Sequence, residues 1–305
     1  MKIYINKINE SWIVDRLKNE WRQFNENVIT DSKFESDIIW IIAPWTWKWN
    51  KNLFINNKKI VYTIHHFEEN KLSNNLLKQV DNKKIDAFHV LNSETKNKLK
   101  KFTNKPIYQI PFWINQNLFF YIDDKISLRD EFNFSANDYL IGSFQRDTEG
   151  SDLTSPKLIK GPDRFITIIK QLSQDYPNLK IVLTGKRRQY IISRLKELNV
   201  EYIYFENTDF ETLNKLYNCL NLYIVSSRLE GMPFAILESG INKTPIISTD
   251  VGIAKSILSQ ESIFDMNNFN EATPNVSYAY KNALNHSIPN GMKPFLEMFQ
   301  EVLSN

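Results

Sequence analysis

Residues 226–240, SSRLEGMPFAILESG, hold the side chains best placed to do chemistry. Two carboxylates, Glu230 and Glu238, stand eight positions apart. The first falls in a loop that follows an apolar, β-branched run; the second falls inside the helix which that loop opens. A carboxylate accepts hydrogen bonds without donating any, so Glu238 is suited to a pair of vicinal ribose hydroxyls. Gly231 permits close approach of the backbone, and Pro233 suits a first helical turn, where a missing N–H is not needed. The unpaired N–H groups at such a helix start, with the positive end of its dipole, favour an anionic ligand.

The elements that must hold these residues are those of a parallel α/β protein. In the first half strands are predicted at 2–5, 27–30, 37–42, 59–64, 86–91 and 107–111, with helices at 11–24 and 93–101, the latter capped by Ser93. Residues 116–137 contain no clear strand and read as a linker. The second half alternates more cleanly, with strands at 139–144, 179–185, 201–206, 221–227 and 244–249. Its helices are expected from Pro162 to about 175 and at 188–198, 209–217 and 233–242. The tail from 276 is helical with a break at 288–291. Open α/β sheets bind ligands at the carboxyl ends of their strands, which is where Glu230 lies.

Composition narrows the function classes. The chain has 305 residues, 42% hydrophobic and 24% charged, ordinary for a globular protein of two domains. Its formal charge of +3 gives no ground for a nucleic-acid partner. The single cysteine, Cys219, excludes a disulfide framework or a cysteine-based zinc site and fits a reducing compartment, so a cytoplasmic protein is expected. The longest apolar run, 38–44, is far short of the roughly 20 residues of a membrane helix. All eight glycines lie at or beyond position 142, so no glycine-rich nucleotide loop occurs in the first half. That half is basic, with 19 Lys and Arg against 12 Asp and Glu in residues 1–110, and tryptophans crowd at 40, 45, 47 and 49.

The string EGMPFAILE resembles the retaining glycosyltransferases of family 4, whose mark is EG-x-P-x-x-x-x-E after a strand ending in Ser. The likeness extends to IPFWINQNLF at 110–119, similar to the interdomain segment of that family. It continues in YLIGSFQRD with the later KGPD, in LTGKR, and in TPIISTDVG. It covers about 107 to 260 and is weak in the first 105 residues. It implies the GT-B fold: two Rossmann-like domains facing across a cleft, at 1–115 and 138–275. A 116–137 linker joins them, and within the 276–305 tail a C-terminal helix returns to the first domain.

The resemblance also implies roles. Glu230 would contact the transferred sugar and Glu238 the ribose, with Gly231, Met232, Pro233 and Phe234 lining the nucleotide-sugar site. Arg146 and Lys160 would hold the diphosphate, in place of a metal. The residues TEGSDLTSPKLI intervene between them, which leaves Lys157 as an alternative to Lys160. Arg187 would line the nucleotide pocket unless the KRR run is a solvated face, and Phe205 marks the region of the base. Across the cleft the T-x-H of Thr63 and His65 favours His65 over His66 as a contact to the donor, whereas His89 and His286 read as structural. Trp45 and Trp47 are an acceptor platform, a finish to the core, or a membrane contact. The expected activity is transfer from a UDP-, GDP- or other nucleoside-diphosphate sugar to a glycan or lipid-linked hydroxyl, without a cofactor. A sugar-nucleotide epimerase or a non-catalytic sugar-nucleotide binder is the alternative.

Overall fold

A computed structural model describes residues 1–6, 13–49, 57–66 and 83–305. The chain divides into two compact units, residues 1–113 with 288–305, and residues 114–287.

The first unit is built on a parallel sheet in the order β1 (Ile3–Ile5), β2 (Ile38–Ile41), β3 (Lys59–Ile64), β4 (Ala87–Val90) and β5 (Ile107–Gln109). β2 and β4 are buried along their whole length, and they are apolar throughout except at His89. The predicted strand at 27–30 is reduced to one bridge, Ile29 to Ile3, because the chain turns away at Asp31. Helix α1 (Ile13–Phe24) lays Trp21 against Trp40, Trp113, Phe295 and Phe299, all with ring centroids 5.5–6.1 Å away. Helix α2 (Ser93–Leu99) is capped by Asn92 rather than Ser93: the Asn92 side chain accepts the N–H of Thr95 at 2.8 Å.

In the second unit helix α3 (Lys125–Glu131) lies within the stretch read as a linker. Asn214 and Asn218 accept the N–H groups of Phe120 and Ile122 at 3.0 and 2.8 Å, and Arg129 donates twice to the Cys219 carbonyl, so 116–137 is fastened to this unit. The sheet that follows contains β6 (Tyr139–Ser143), β7 (Leu179–Thr184), β8 (Glu201–Phe205), β9 (Leu222–Val225), β10 (Ile246–Thr249) and β11 (Ile263–Phe264). All are parallel, in the order β11-β10-β9-β6-β7-β8. Its helices are α4 (Pro162–Asp175), α5 (Gln189–Glu197), α6 (Phe210–Cys219), α7 (Phe234–Ile241), α8 (Ala254–Ile257) and α9 (Val276–Leu284). Ile168 and Ile169 of α4 and Leu195 of α5 pack on Ile181, Leu183 and Ile224 of the strands. The last helix, α10 (Lys293–Ser304), belongs to the first unit, where Phe295 stacks on Phe112 at 5.7 Å. Among the described residues no helix is long and apolar enough to cross a membrane.

Candidate functional site

The site is assembled where β6 and β9, neighbours in the sheet, both end. After β9 the chain runs through Ser226 and Ser227 to Glu230; after β6 it runs through Gln145 and Arg146 into a long excursion that returns at Lys160. Gly161 joins the two paths. It is left-handed, with φ +62°, and a Cβ there would lie 1.9 Å from the Ser226 carbonyl oxygen. Ser226 Oγ donates to the Gly161 carbonyl at 2.8 Å, and the N–H groups of Arg228 and Leu229 donate to Ile159 at 2.8 and 3.1 Å. The Arg228 guanidinium adds a two-pronged pair with Asp163 at 2.7 and 2.6 Å.

That clamp brings Lys160 and Glu230 together. Lys160 Nζ lies 2.6 Å from each carboxylate oxygen, and Ser227 Oγ donates to Oε1 at 2.9 Å. Glu230 is 7% exposed, while the Lys160 side chain keeps 25% of its surface open. Gln145 Nε2 donates to the Lys160 carbonyl at 3.0 Å, fixing the backbone behind the ammonium. Of the two candidate lysines, Lys160 is therefore the one seated at the glutamate. The main-chain N–H of Lys157 instead donates to Asp147 at 2.7 Å, closing the excursion on itself.

Pro233 is the N-cap of α7 rather than its first residue, with extended ψ of 106°. The loop before it is shaped by Gly252, left-handed at φ +58°, where a Cβ would lie 2.6 Å from Pro233 Cδ and 3.0 Å from the Gly231 carbonyl. Gly231, Met232 and Pro233 are buried there, and Phe234 is half-buried. Glu238 follows on α7, 6% exposed, and accepts the Tyr217 hydroxyl at 2.9 Å.

The basic run 186–188 divides. Arg187 is left-handed at φ 65°, a strained conformation for a side chain of its size. It reaches toward the excursion, donating to the Gly150 carbonyl and to Thr148 Oγ1. Arg146 is exposed and donates to the Thr148 carbonyl at 2.7 Å; desolvation first, then the like charge of Arg187, lowers its pKa. Two cations thus converge on one loop, an arrangement that an anion relieves. Arg188 is not part of a solvated face. It is fully buried, paired with Asp147 at 2.9 Å, and donates to Ser143 and Thr184. Burial pushes the Asp147 carboxyl up and the Arg188 guanidinium down, and each is opposed by the other's charge. Phe205 ends β8, where its ring meets Phe132 edge-on at 5.7 Å and its carbonyl accepts the Gly185 N–H.

In the first unit His65 is half-buried at the end of β3, with Nε2 donating to the Ile42 carbonyl at 2.8 Å. Desolvation lowers its pKa to about 4, so the ring is neutral near pH 7. The exposed Trp45 ring lies 5.4 Å from it. Trp47 does not share that position; it packs with Trp49 on the core around Ile39, Ile60 and Phe88. Asn6 follows β1, where the first half has no glycine-rich loop, and residues 7–9 after it fall outside the described residues. Its side chain staples the tryptophan turn, accepting from Ile42 and Ala43 and donating to Ala43 and Thr46. His89 is structural: Trp40 donates to Thr63, Thr63 to Nδ1, and Nε2–H to the Ile110 carbonyl.

Sequence reasoning missed Gln145, Ser227 and Tyr217 as partners of the predicted cations and carboxylates. Ser227 is next to the strand end and was within reach of the motif; nothing in the spacing points to Tyr217. Among the described residues no group of three or more His, Cys, Asp or Glu is placed to hold a metal ion.

Comparison with known proteins gives a family match and a shared fold. Residues 156–285 match the model of the family described as Glycosyl transferases group 1, a span containing Lys160, Glu230 and Glu238. The second unit thus carries a glycosyltransferase domain. No curated protein matches the chain in sequence. Among solved structures, Anabaena HepE in complex with UDP and glucose is 14% identical, with 100% of both chains covered and a TM-score of 0.75. Sucrose-phosphate synthase from Thermosynechococcus elongatus is 17% identical over 98% of this chain and 78% of its own, with a TM-score of 0.64. A glycosyltransferase from Rickettsia africae is 15% identical over 98% and 84%, with a TM-score of 0.67. The fold is that of the GT-B glycosyltransferases, two Rossmann-like α/β halves each built on a parallel sheet.

Proposed function

We propose that the protein is a metal-independent, retaining glycosyltransferase of the family 4 type. It would move a sugar from a UDP-sugar or another nucleoside-diphosphate sugar to a glycan or lipid-linked hydroxyl. The observation that carries this reading is the cluster of Lys160, Glu230 and Ser227, with Glu238 on the helix that the same loop opens, within the span of the family match. HepE binds UDP and UDP-glucose, which supports UDP as the nucleotide.

Each role follows from a position. Glu238 accepts the ribose hydroxyls, and Glu230 with the backbone of 231–234 orients the sugar. Lys160, Arg146 and Arg187 meet the diphosphate, whose charge grows as the bond from the anomeric carbon to phosphate oxygen breaks. The bond to the acceptor oxygen forms on the same face, and the acceptor proton passes to the departing phosphate oxygen. No protein base is required in that step. His65, a neutral ring, offers the donor a hydrogen-bonding edge rather than a charge. Trp45 offers an acceptor sugar a stacking surface, and contact with a membrane surface, for a lipid-linked acceptor of a cytoplasmic enzyme, would use the same ring.

Thermal melts with UDP and GDP at millimolar concentration test the reading, since a ligand bound only by the native state raises Tm. A rise with one nucleotide is expected. No rise with any nucleoside diphosphate would remove the donor site.

A further inference from the structure

Glu238 is held by a network of aromatic side chains that the proposed roles do not use. Tyr217, on α6, is 1% exposed, and its hydroxyl donates to Glu238 Oε2 at 2.9 Å. Burial, with the charge of Glu238 adding to it, raises the Tyr217 pKa well above the usual phenol value, so the hydroxyl remains a donor. Tyr223, on β9, lies beside it with ring centroids 5.3 Å apart. The Tyr223 hydroxyl accepts the backbone N–H of Phe144 at 3.0 Å. Phe144 is the first residue beyond β6 and leads directly into Gln145 and Arg146. Its ring completes the group, 4.8 Å from Tyr217 and 5.3 Å from Tyr223. Gly142 makes room for this packing: a Cβ there would lie 2.3 Å from Leu220 Cδ1 and 3.0 Å from Tyr223 Cδ2.

We infer that Tyr217 is a positioning residue for donor binding: it presets the Glu238 carboxylate for the ribose hydroxyls and, through Tyr223 and Phe144, registers that carboxylate on the strand end that carries Gln145 and Arg146. The inference rests on the reading of Glu238 as the ribose ligand. A glutamate has three rotatable side-chain bonds. Fixing them before the ligand arrives removes part of the ordering loss that binding otherwise incurs. Both tyrosines belong to rigid elements, a helix and a central strand, which suits that task.

Calorimetric titration of the full chain with UDP and with 2′,3′-dideoxy-UDP tests it, in the wild type, Tyr217→Phe and Tyr223→Phe. Phenylalanine keeps the ring contacts, and a melt of each variant checks the fold. The wild type is expected to prefer UDP by about tenfold or more, the worth of a charge-assisted hydrogen bond. In Tyr217→Phe that preference should fall by about fivefold while affinity for the dideoxy ligand stays unchanged. Tyr223→Phe should lower the same preference by about twofold, and decides the matter if Tyr217→Phe does not fold. An equal loss for both ligands, or no loss for either, overturns the inference and leaves the ribose role of Glu238 standing. A wild type with no preference for UDP removes that role, and the inference with it.

Discussion

Replacing Glu230 by glutamine should strengthen the binding of free UDP while weakening sugar transfer, two responses of opposite sign from one atom pair. Lys160 sits 2.6 Å from both oxygens of Glu230, so under the proposed roles the carboxylate competes with a diphosphate for that cation. Glutamine preserves the shape and can still take the Ser227 hydroxyl, but carries no charge. The pair is shielded on the glutamate side, at 8%, and open on the lysine side, at 25%. Its worth therefore falls below that of a buried charge-assisted bond and above that of a surface ion pair, at about 1–2 kcal/mol. Releasing it should tighten UDP by about five- to thirtyfold. Transfer loses the contact that orients the sugar and should fall by about ten- to a hundredfold. Calorimetry with UDP, beside steady-state turnover of a UDP-sugar, reads both effects. Glu238→Ala is the control, since it removes a contact to the nucleotide itself and should weaken UDP. Equal losses of UDP affinity in Glu230→Gln and Glu238→Ala would refute the division of labour between the two carboxylates.

Other consequences are accessible to simpler assays. Asp147→Asn leaves the buried Arg188 charge uncompensated and should lower unfolding stability by about 3–5 kcal/mol in a denaturant titration; a change below about 1 kcal/mol would contradict the buried pairing. Trp47→Ala, half-buried against the core, should cost about 2 kcal/mol, whereas Trp45→Ala should leave the melt nearly unchanged and raise the KM for the acceptor. His89 has its pKa lowered to about 3 by burial, so between about 6.5 and 3 the unfolded chain binds a proton that the folded chain refuses. Stability should therefore fall as pH drops through that window, and His89→Gln should reduce the slope between about pH 6.5 and 4.5, leaving the share that His65 contributes; an unchanged slope would show that the ring is not held neutral.

Much of the second unit was legible in the sequence. Its strands alternate with helices, and Glu230, Gly231, Pro233 and Glu238 fall where that alternation predicts a loop and a helix after a strand. The limits are physical. The strand expected at 27–30 has the right residue types but only one bridging partner, Ile3, because pairing is decided by the neighbour and not by propensity. Arg188 reads as surface in a run of three cations, and its burial depends on Asp147, forty-one positions earlier, a partner that no local pattern reveals. Trp45 and Trp47 are equivalent in sequence, yet the 3₁₀ turn at Pro44–Thr46, stapled by Asn6, exposes one and lays the other, half-buried, against the core. Tyr217 lies 21 positions before Glu238, on the helix that precedes β9, and only the packing of that helix beside α7 brings its hydroxyl to the carboxylate.

The central claim is that this site breaks the anomeric bond of a nucleoside-diphosphate sugar with retention and without a metal. Slow hydrolysis in the absence of acceptor tests it most directly. The enzyme would be incubated in EDTA with α-linked UDP- and GDP-sugars in turn, and the anomeric proton of the released sugar followed by NMR. The account predicts that one donor is cleaved, that the α-anomer appears first and the β-anomer only by later mutarotation, and that Glu238→Ala slows the release. Initial appearance of the β-anomer, cleavage that EDTA abolishes and a divalent metal restores, or no cleavage of any donor would contradict it.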